Sequence, residues 1–401
     1  MKSHLVAASA LVAAGPVCAQ NLSLKPLIDV RLRHEMVDQA GLSDDAEAAT
    51  IRLRAGAQAG RGPWSVLVEA QGTLALADHY DDGLHGGTLR PLVADPENVA
   101  LYRAQIQYRT QAVTLTAGRQ RIALDDERFV GNAAFRQNAQ TFDAVRAEWT
   151  GLAGFKADLS YVWNVRTIWG VEGNGARPRS VGGDSVLGNL FYATSLGTFT
   201  GFAYLVDQRE VAVQGYRLSS QTYGGRLAGS WPLSKTAKLS YALSYARQTA
   251  YRRNPNRYAA DYWLADVALD VKALKLNAGY EVLGAGDGTA LTSFQTPLGT
   301  NFKFQGWADK LLTTPPDGVR DLYAGAGYGW SRIGTIDALS FQATWHRFAS
   351  DRLDRHYGDE IDLLASAKIR RMTVSARFAR YRAAGFASDT RKLWLQIDWA
   401  F

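Results

Sequence analysis

Cysteine is all but missing from this chain: Cys18 is the only one in 401 residues, so no intramolecular disulfide framework can brace the fold. Methionine is scarce at 3, and lysine supplies only 11 of the 45 basic residues, the other 34 being arginine. Beyond the N-terminal region no stretch offers the ~18 to 20 consecutive apolar residues that a membrane-spanning helix needs, which excludes a helical membrane protein. No G-x-S-x-G occurs, so the nucleophile elbow of the common hydrolases is absent as well.

What remains is rich in Gly (38), Tyr (18) and Trp (11), a mixture that suits many strands and turns. The first residues, MKSHLVAASALVAAGPVCAQ, carry one Lys, an apolar stretch from Leu5 to Ala14, and the small residues Val17 and Ala19. They read as a secretory leader, residues 1–19, cleaved after Ala19 and taking Cys18 with it. The rest, 20–401, shows no linker or composition shift and reads as one domain. An exported chain of this kind is either soluble or spans a membrane as a barrel.

From residue 22 onward, segments of about ten residues alternate apolar with polar. In AATIRLRAGAQ, Ile51, Leu53 and Ala55 share one face while Arg52 and Arg54 share the other. GFKADLSYVWNVR sets Leu159, Tyr161 and Trp163 against Asp158, Ser160 and Asn164, and RMTVSARF sets Val374 and Phe378 against Ser375 and Arg377. A soluble β-sandwich also alternates, but two features favour a membrane barrel. The polar face is charged, as in DVRLRHE with Asp29, Arg31, Arg33 and Glu35, and the apolar face tends to end in aromatics such as Trp163, Trp345, Trp399 and Phe401. An Arg on the lipid side near the midplane would cost about 2 to 4 kcal/mol, so the charged faces must point inward. Parsing gives 18 runs, give or take about two, among them 24–36, 98–109, 185–195 and 390–401. The fold class is therefore all-β: a single transmembrane antiparallel barrel in a Gram-negative outer membrane, with short periplasmic turns and long extracellular loops.

Two stretches go beyond barrel grammar: GRQRIALDDERFVGNAAFRQNAQTFDAVR (118–146) and TPLGTNFKFQGWADKLLTTPPDGVRDLYAGAGY (296–328). With YGDEIDLLASAKI and the ending DTRKLWLQIDWAF, they resemble the alginate export family of outer-membrane β-barrel porins, in order along the chain. The resemblance implies an 18-stranded monomeric barrel whose arginine-rich constriction passes a polyanionic sugar, with outer-membrane lipid around it and periplasmic export partners. It also points to Arg119, Arg128 and Arg136 as the constriction, with Arg33 and Arg54 next and Asp125, Asp126 and Glu127 as their partners.

The residues support a related reading by themselves. A uronate polymer carries one carboxylate per sugar, so its channel needs fixed guanidiniums with some acids interspersed. Arg31, Arg33, Arg52, Arg54, Arg103, Arg119, Arg128, Arg136, Arg146 and Arg166 cluster on early strands or the loop between them. The plainer reading of each is a salt-bridge lattice that stiffens the barrel. The 285–318 segment, with Gly306, Trp307, Asp309 and the Pro315–Pro316 pair, reads as a long loop lying outside or folding inward.

Other functions are weaker. A substrate-selective porin for small anionic or sugar solutes is the nearest alternative, and an outer-membrane hydrolase the alternative of another class. Of the histidines past the leader (His34, His79, His85, His346, His356), none sits in a nucleophile motif. DHYDDGLH (78–85) and LDDERF read as solvated acidic loops before metal sites, because neither has a defined ligand spacing. No cofactor is called for, and the +7 charge does not indicate nucleic acid, being spread over alternating strand faces. The terminal Phe401 resembles the signal read by the outer-membrane assembly machinery.

Overall fold

The computed structural model describes residues 22–85, 87, 89–211 and 214–401, and the leader expected over 1–19 lies outside them. The described residues form β1 (Ser23–Gln39), β2 (Ala46–Arg61), β3 (Trp64–His79), β4 (Asn98–Arg109), β5 (Val113–Gln120) and β6 (Thr141–Trp149). There follow β7 (Phe155–Arg166), β8 (Ser180–Thr194), β9 (Gly197–Val206), β10 (Ser220–Pro232), β11 (Ala237–Ala250) and β12 (Ala259–Val271). The chain ends with β13 (Leu274–Leu283), β14 (Val319–Ile333), β15 (Ile336–Ala349), β16 (His356–Ile369), β17 (Met372–Ala383) and β18 (Thr390–Ala400).

Each strand pairs antiparallel with its sequence neighbours, and β1 pairs with both β2 and β18. The seam runs from Asp29 opposite Ala400 to Gln39 opposite Thr390, so no backbone edge is left open. The count is the 18 that alternation gives. The largest boundary difference is β8, which begins at Ser180 rather than near 185, because Gly182 and Gly183 interrupt the apolar pattern without ending the ladder.

Alternation sorts the side chains as a membrane demands. Leu53, Val68, Leu159, Leu243, Leu322, Ile361 and Leu395 are exposed on the outer surface, where lipid would cover them. Aromatics bound this band, with Tyr161, Trp163, Trp263 and Trp345 toward one end and Trp64, Trp231, Trp330 and Phe401 toward the other. One end has only tight turns such as 62–63, 272–273 and 334–335; the other carries every long loop.

Two of those long loops, 121–140 and 284–318, turn into the barrel and build an apolar core inside it. Ile122, Leu124 and Val130 from the first pack with Phe294, Leu298, Phe302 and Leu311 from the second, all buried. The Gly131 N–H donates to the Leu298 carbonyl at 2.8 Å, and the Thr300 N–H to that of Glu127 at 2.9 Å. The 285–318 segment therefore folds inward. Trp394, the one aromatic on the inward face of β18, is 1% exposed and meets Phe135 and Phe302 edge-on, each at 5.9 Å. It anchors both loops to the wall.

Candidate functional site

Loop 121–140 bridges the lumen, and each end is tied to a different wall. At one end Phe129 packs among Phe202, Tyr204 and Tyr262 of β9 and β12, while Arg128 donates from Nε to Glu281 on β13 at 2.7 Å. At the other end the carbonyls of the loop face guanidiniums of β1 and β2. Arg31 donates from Nη1 to the carbonyls of Ala134 and Phe135, both at 3.0 Å, Arg33 from Nη2 to that of Phe135, and Arg54 to that of Gln137 at 3.4 Å. Loop 284–318 is held by acids of β16, two strands beyond the seam. The Ala308 N–H donates to Glu360 at 2.7 Å and the Trp307 N–H to Asp362 at 3.2 Å, both on β16.

The lumen wall is thus uneven in charge, with Asp29, Glu35, Glu69 and Asp398 standing among the arginines of one part and acids dominating another. Arg31, Arg33, Arg52, Arg54, Arg103 and Arg377 stand on β1, β2, β4 and β17; Asp266, Glu281, Asp321, Glu360 and Asp362 stand on β12 to β16. Between them the loop pair leaves two cavities. One, about 450 Å³, opens on the long-loop side beside Phe135, Arg136, Asp309 and Lys392. The other, about 360 Å³, lies toward the acidic wall beside Asp126, Arg226, Asp321 and His346.

The expected site residues divide into three groups. Arg31, Arg33, Arg52 and Arg54 face the lumen together, and Arg146 faces it further round, bonded to Asp158 at 2.9 Å. Arg128 and Arg136 also lie in the lumen, as cross-lumen ties: Arg136 bonds Asp309 at 2.6 Å. Arg119 does not belong with them. It pairs in register with Ala104 and Asp143, whose strand companions Ile106 and Val145 are exposed on the outer surface, so Arg119 points out of the barrel near the long-loop rim. There it forms an ion pair with Asp143 at 2.7 Å, a carboxylate that Asn164 also bonds at 2.8 Å. Gly118, at φ +110 and with a would-be Cβ only 2.3 Å from the Ala104 carbonyl, is the inward residue at this level of β5.

The partnership expected of Asp125, Asp126 and Glu127 also differs. Asp125 accepts from Asn189, Asp126 pairs with Arg226 at 2.8 Å, and Glu127 pairs with Lys303. These acids sit at a turn that includes positive φ at Asp125 and Glu127, which aims them away from the arginines beside them in sequence. Sequence reasoning gave no role to Arg377 or to the acidic wall. Arg377 was legible as an inward position of RMTVSARF; the acidic wall was not, because its five acids lie on four strands and come together only when those strands pair.

Three guanidiniums converge under the loop tip. Arg31 and Arg52 are cross-strand partners, and Arg377 lies within electrostatic reach of Arg31 and Asp398. Asp398 bonds Arg31 at 2.6 Å and Asp29 bonds Arg52, leaving one positive charge in excess. Nε and Nη1 of Arg52 and Nε of Arg377 have no hydrogen-bond partner among the described residues. His346, by contrast, is bracketed by Asp321 at 3.0 Å and Asp362 at 3.8 Å, so its hydrogen-bonding neighbours are carboxylates and not a hydroxyl nucleophile.

Known proteins match this architecture. Residues 26–168 match the family model described as alginate export. No curated protein matches the chain. Among solved structures, OccAB2 of Acinetobacter baumannii superposes with a TM-score of 0.69 at 14% identity, covering 94% of this chain and 98% of that one. OccAB4 of the same organism gives 0.69 at 12%, covering 95% and 98%, and OpdO of Pseudomonas aeruginosa gives 0.68 at 15%, covering 94% and 97%. At such identities the likeness establishes the fold. The chain is an 18-stranded outer-membrane β-barrel that resembles porins in fold and whose residues 26–168 match the alginate export family model.

Proposed function

We propose that this channel passes an anionic, uronate-type (alginate-like) oligo- or polysaccharide along its arginine-bearing wall. The observation that carries the reading is the convergence of Arg31, Arg52 and Arg377 with one positive charge in excess and unpaired N–H donors. A buried donor without a partner costs about 1 to 3 kcal/mol, so an excess of unpaired guanidinium N–H here favours negative charge nearby in the lumen. Guanidinium binds carboxylate through paired hydrogen bonds, and the acids on the facing strands keep the anion from resting too long.

The test is a planar-bilayer recording under a salt gradient. Wild-type channel is expected to prefer anions and to be blocked by an oligouronate, and Arg52→Gln with Arg377→Gln is expected to lose both properties. Cation preference in the wild type overturns the reading.

A second reading has its own support: the bridge of 121–140 and 284–318 across the lumen leaves cavities sized for small solutes. On that reading the channel takes small anionic or sugar solutes. Proteoliposome swelling separates the two, since entry of a uronate monomer with exclusion of longer chains favours the second.

A further inference from the structure

The outer surface holds a charged feature that the pore does not use. Arg347 shares the outward face of β15 with Trp345 and Phe341, and Arg380 and Arg382 share that of β17 with Met372 and Val374. All three arginines are exposed. Register places them together: Arg347, Asp359 and Arg382 form one row across β15 to β17, and Trp345, Ile361 and Arg380 form the row two residues nearer the apolar band. Adjacent strands lie about 5 Å apart and residues rise about 3.4 Å along a strand, so the three arginine Cα atoms fall within roughly 12 Å of one another.

Their level is the rim of the membrane. Arg347 is two residues from the end of β15 and Arg382 one from the end of β17, at the long-loop side. Beside them Leu322, in register with Arg347, and Ile361, in register with Arg380, expose apolar side chains to the lipid position, as does Leu363 below them.

Four other arginines of the outer rim are neutralised by the protein. Arg391 pairs with Asp38, Arg247 with Asp261, Arg320 with Asp354, and Arg119 with Asp143. Arg347, Arg380 and Arg382 form no such pair among the described residues, and the one acid between them, Asp359, lies 3.0 Å from His356 Nε2, an ion pair when that ring is protonated. Evenly charged rims repel nothing and recruit nothing; a local excess of guanidinium directly above an apolar surface calls for a partner with a phosphate and hydrocarbon chains in one molecule.

We propose that the outward face of β15 to β17 is a docking surface for a phosphate-bearing glycolipid of the outer leaflet, its phosphates held by Arg347, Arg380 and Arg382 and its acyl chains lying on Trp345, Ile361 and Leu363. The assignment is independent of what the pore conducts.

Native mass spectrometry of the detergent-solubilised barrel tests it, using a bis-phosphorylated glycolipid and the same lipid stripped of phosphate. Wild-type protein retains the phosphorylated form, and the R347S/R380S/R382S variant binds it at least about tenfold more weakly, or ~1.4 kcal/mol. R247S, which removes a paired rim arginine, leaves binding unchanged. Heat-modifiable migration on gels verifies folding; should the triple variant not fold, the single R380S and R382S variants are each expected to weaken retention. Equal retention of both lipids, or undiminished binding by folded variants, overturns the proposal. So does displacement by millimolar inorganic phosphate alone, which would mark a free-anion site.

Discussion

Arg136 on one inward loop and Asp309 on the other meet at 2.6 Å beside the β18 wall, and Lys392 of β18 reaches the same carboxylate at 3.0 Å. All three side chains are nearly buried, so Asp309 is the counter-ion that lets two cations sit there. Asp309→Asn removes the ion-pair partner of both. Breaking a buried pair from one side typically costs about 3 to 5 kcal/mol, and the cost falls here on the contact between loops and not on the strand ladder. The expected outcome is a barrel that still migrates as folded but shows higher mean conductance and more open-channel noise. A single-channel trace indistinguishable from wild type would mean the loops are held elsewhere.

The outward placement of Arg119 makes the opposite prediction. Arg119→Ser removes an ion pair at the rim whose two side chains are 18% and 15% exposed, worth within about 1 kcal/mol. Reversal potential under a salt gradient should stay at the wild-type value, in contrast to the shift expected for Arg52→Gln with Arg377→Gln. A shift with Arg119→Ser would mean that the side chain reaches the permeation path.

The contrast shows what the sequence makes legible. Period-two alternation through Leu115 and Ala117 already places Arg119 on the outer face, whereas motif resemblance argued for the constriction; local geometry was the better guide. The same alternation locates the strands, because lipid on one side and water on the other leave little freedom of register. Where bulges intervene, at Glu69/Ala70 and Asp143/Ala144, the parity changes and simple counting fails. The interior could not be read at all from local pattern. Phe135 and Phe302 lie nearly parallel with ring centroids 3.4 Å apart, yet they are 167 positions apart and sit in loops with no period. Trp394 looked like a defect in the alternation of β18 only because its partners come from those loops.

Gly306 offers a test of the acid-held loop. Its φ is +77, and a Cβ there would lie 2.4 Å from the Glu360 carboxyl. Gly306→Ala combines the strain of a left-handed residue, about 1 to 3 kcal/mol, with displacement of the carboxylate that accepts the Ala308 N–H. Exchange of the Trp307 and Ala308 amide hydrogens should accelerate at least about tenfold, while amides of β14 and β15 keep their protection. Unchanged exchange at both would show that Glu360 is dispensable to the loop.

His85 predicts a pH response confined to the outer loops. Its Nδ1 lies 3.0 Å from Asp82 within loop 80–97, and its Nε2 lies 3.1 Å from Glu172 in loop 167–179. The hydrogen bond with Asp82 holds the imidazole pKa above its usual value of 6.5, with the charge of Glu172 adding to it. A folded-state pKa above the unfolded one means the tether is complete below pH 6.5 and is lost as pH rises through the raised value. The ring is largely exposed, so solvent screens the effect and the change in loop opening should be modest, about twofold. Trypsin cleavage after Arg179, the Arg177–Pro178 bond being resistant, expressed as the wild-type rate over the His85→Gln rate to cancel the protease's own pH dependence, should start below one at pH 6.5 and approach one in alkali. A ratio that stays flat across that range would show that the two loops are joined by the contacts of Arg177 with Gly83 and Trp169 instead.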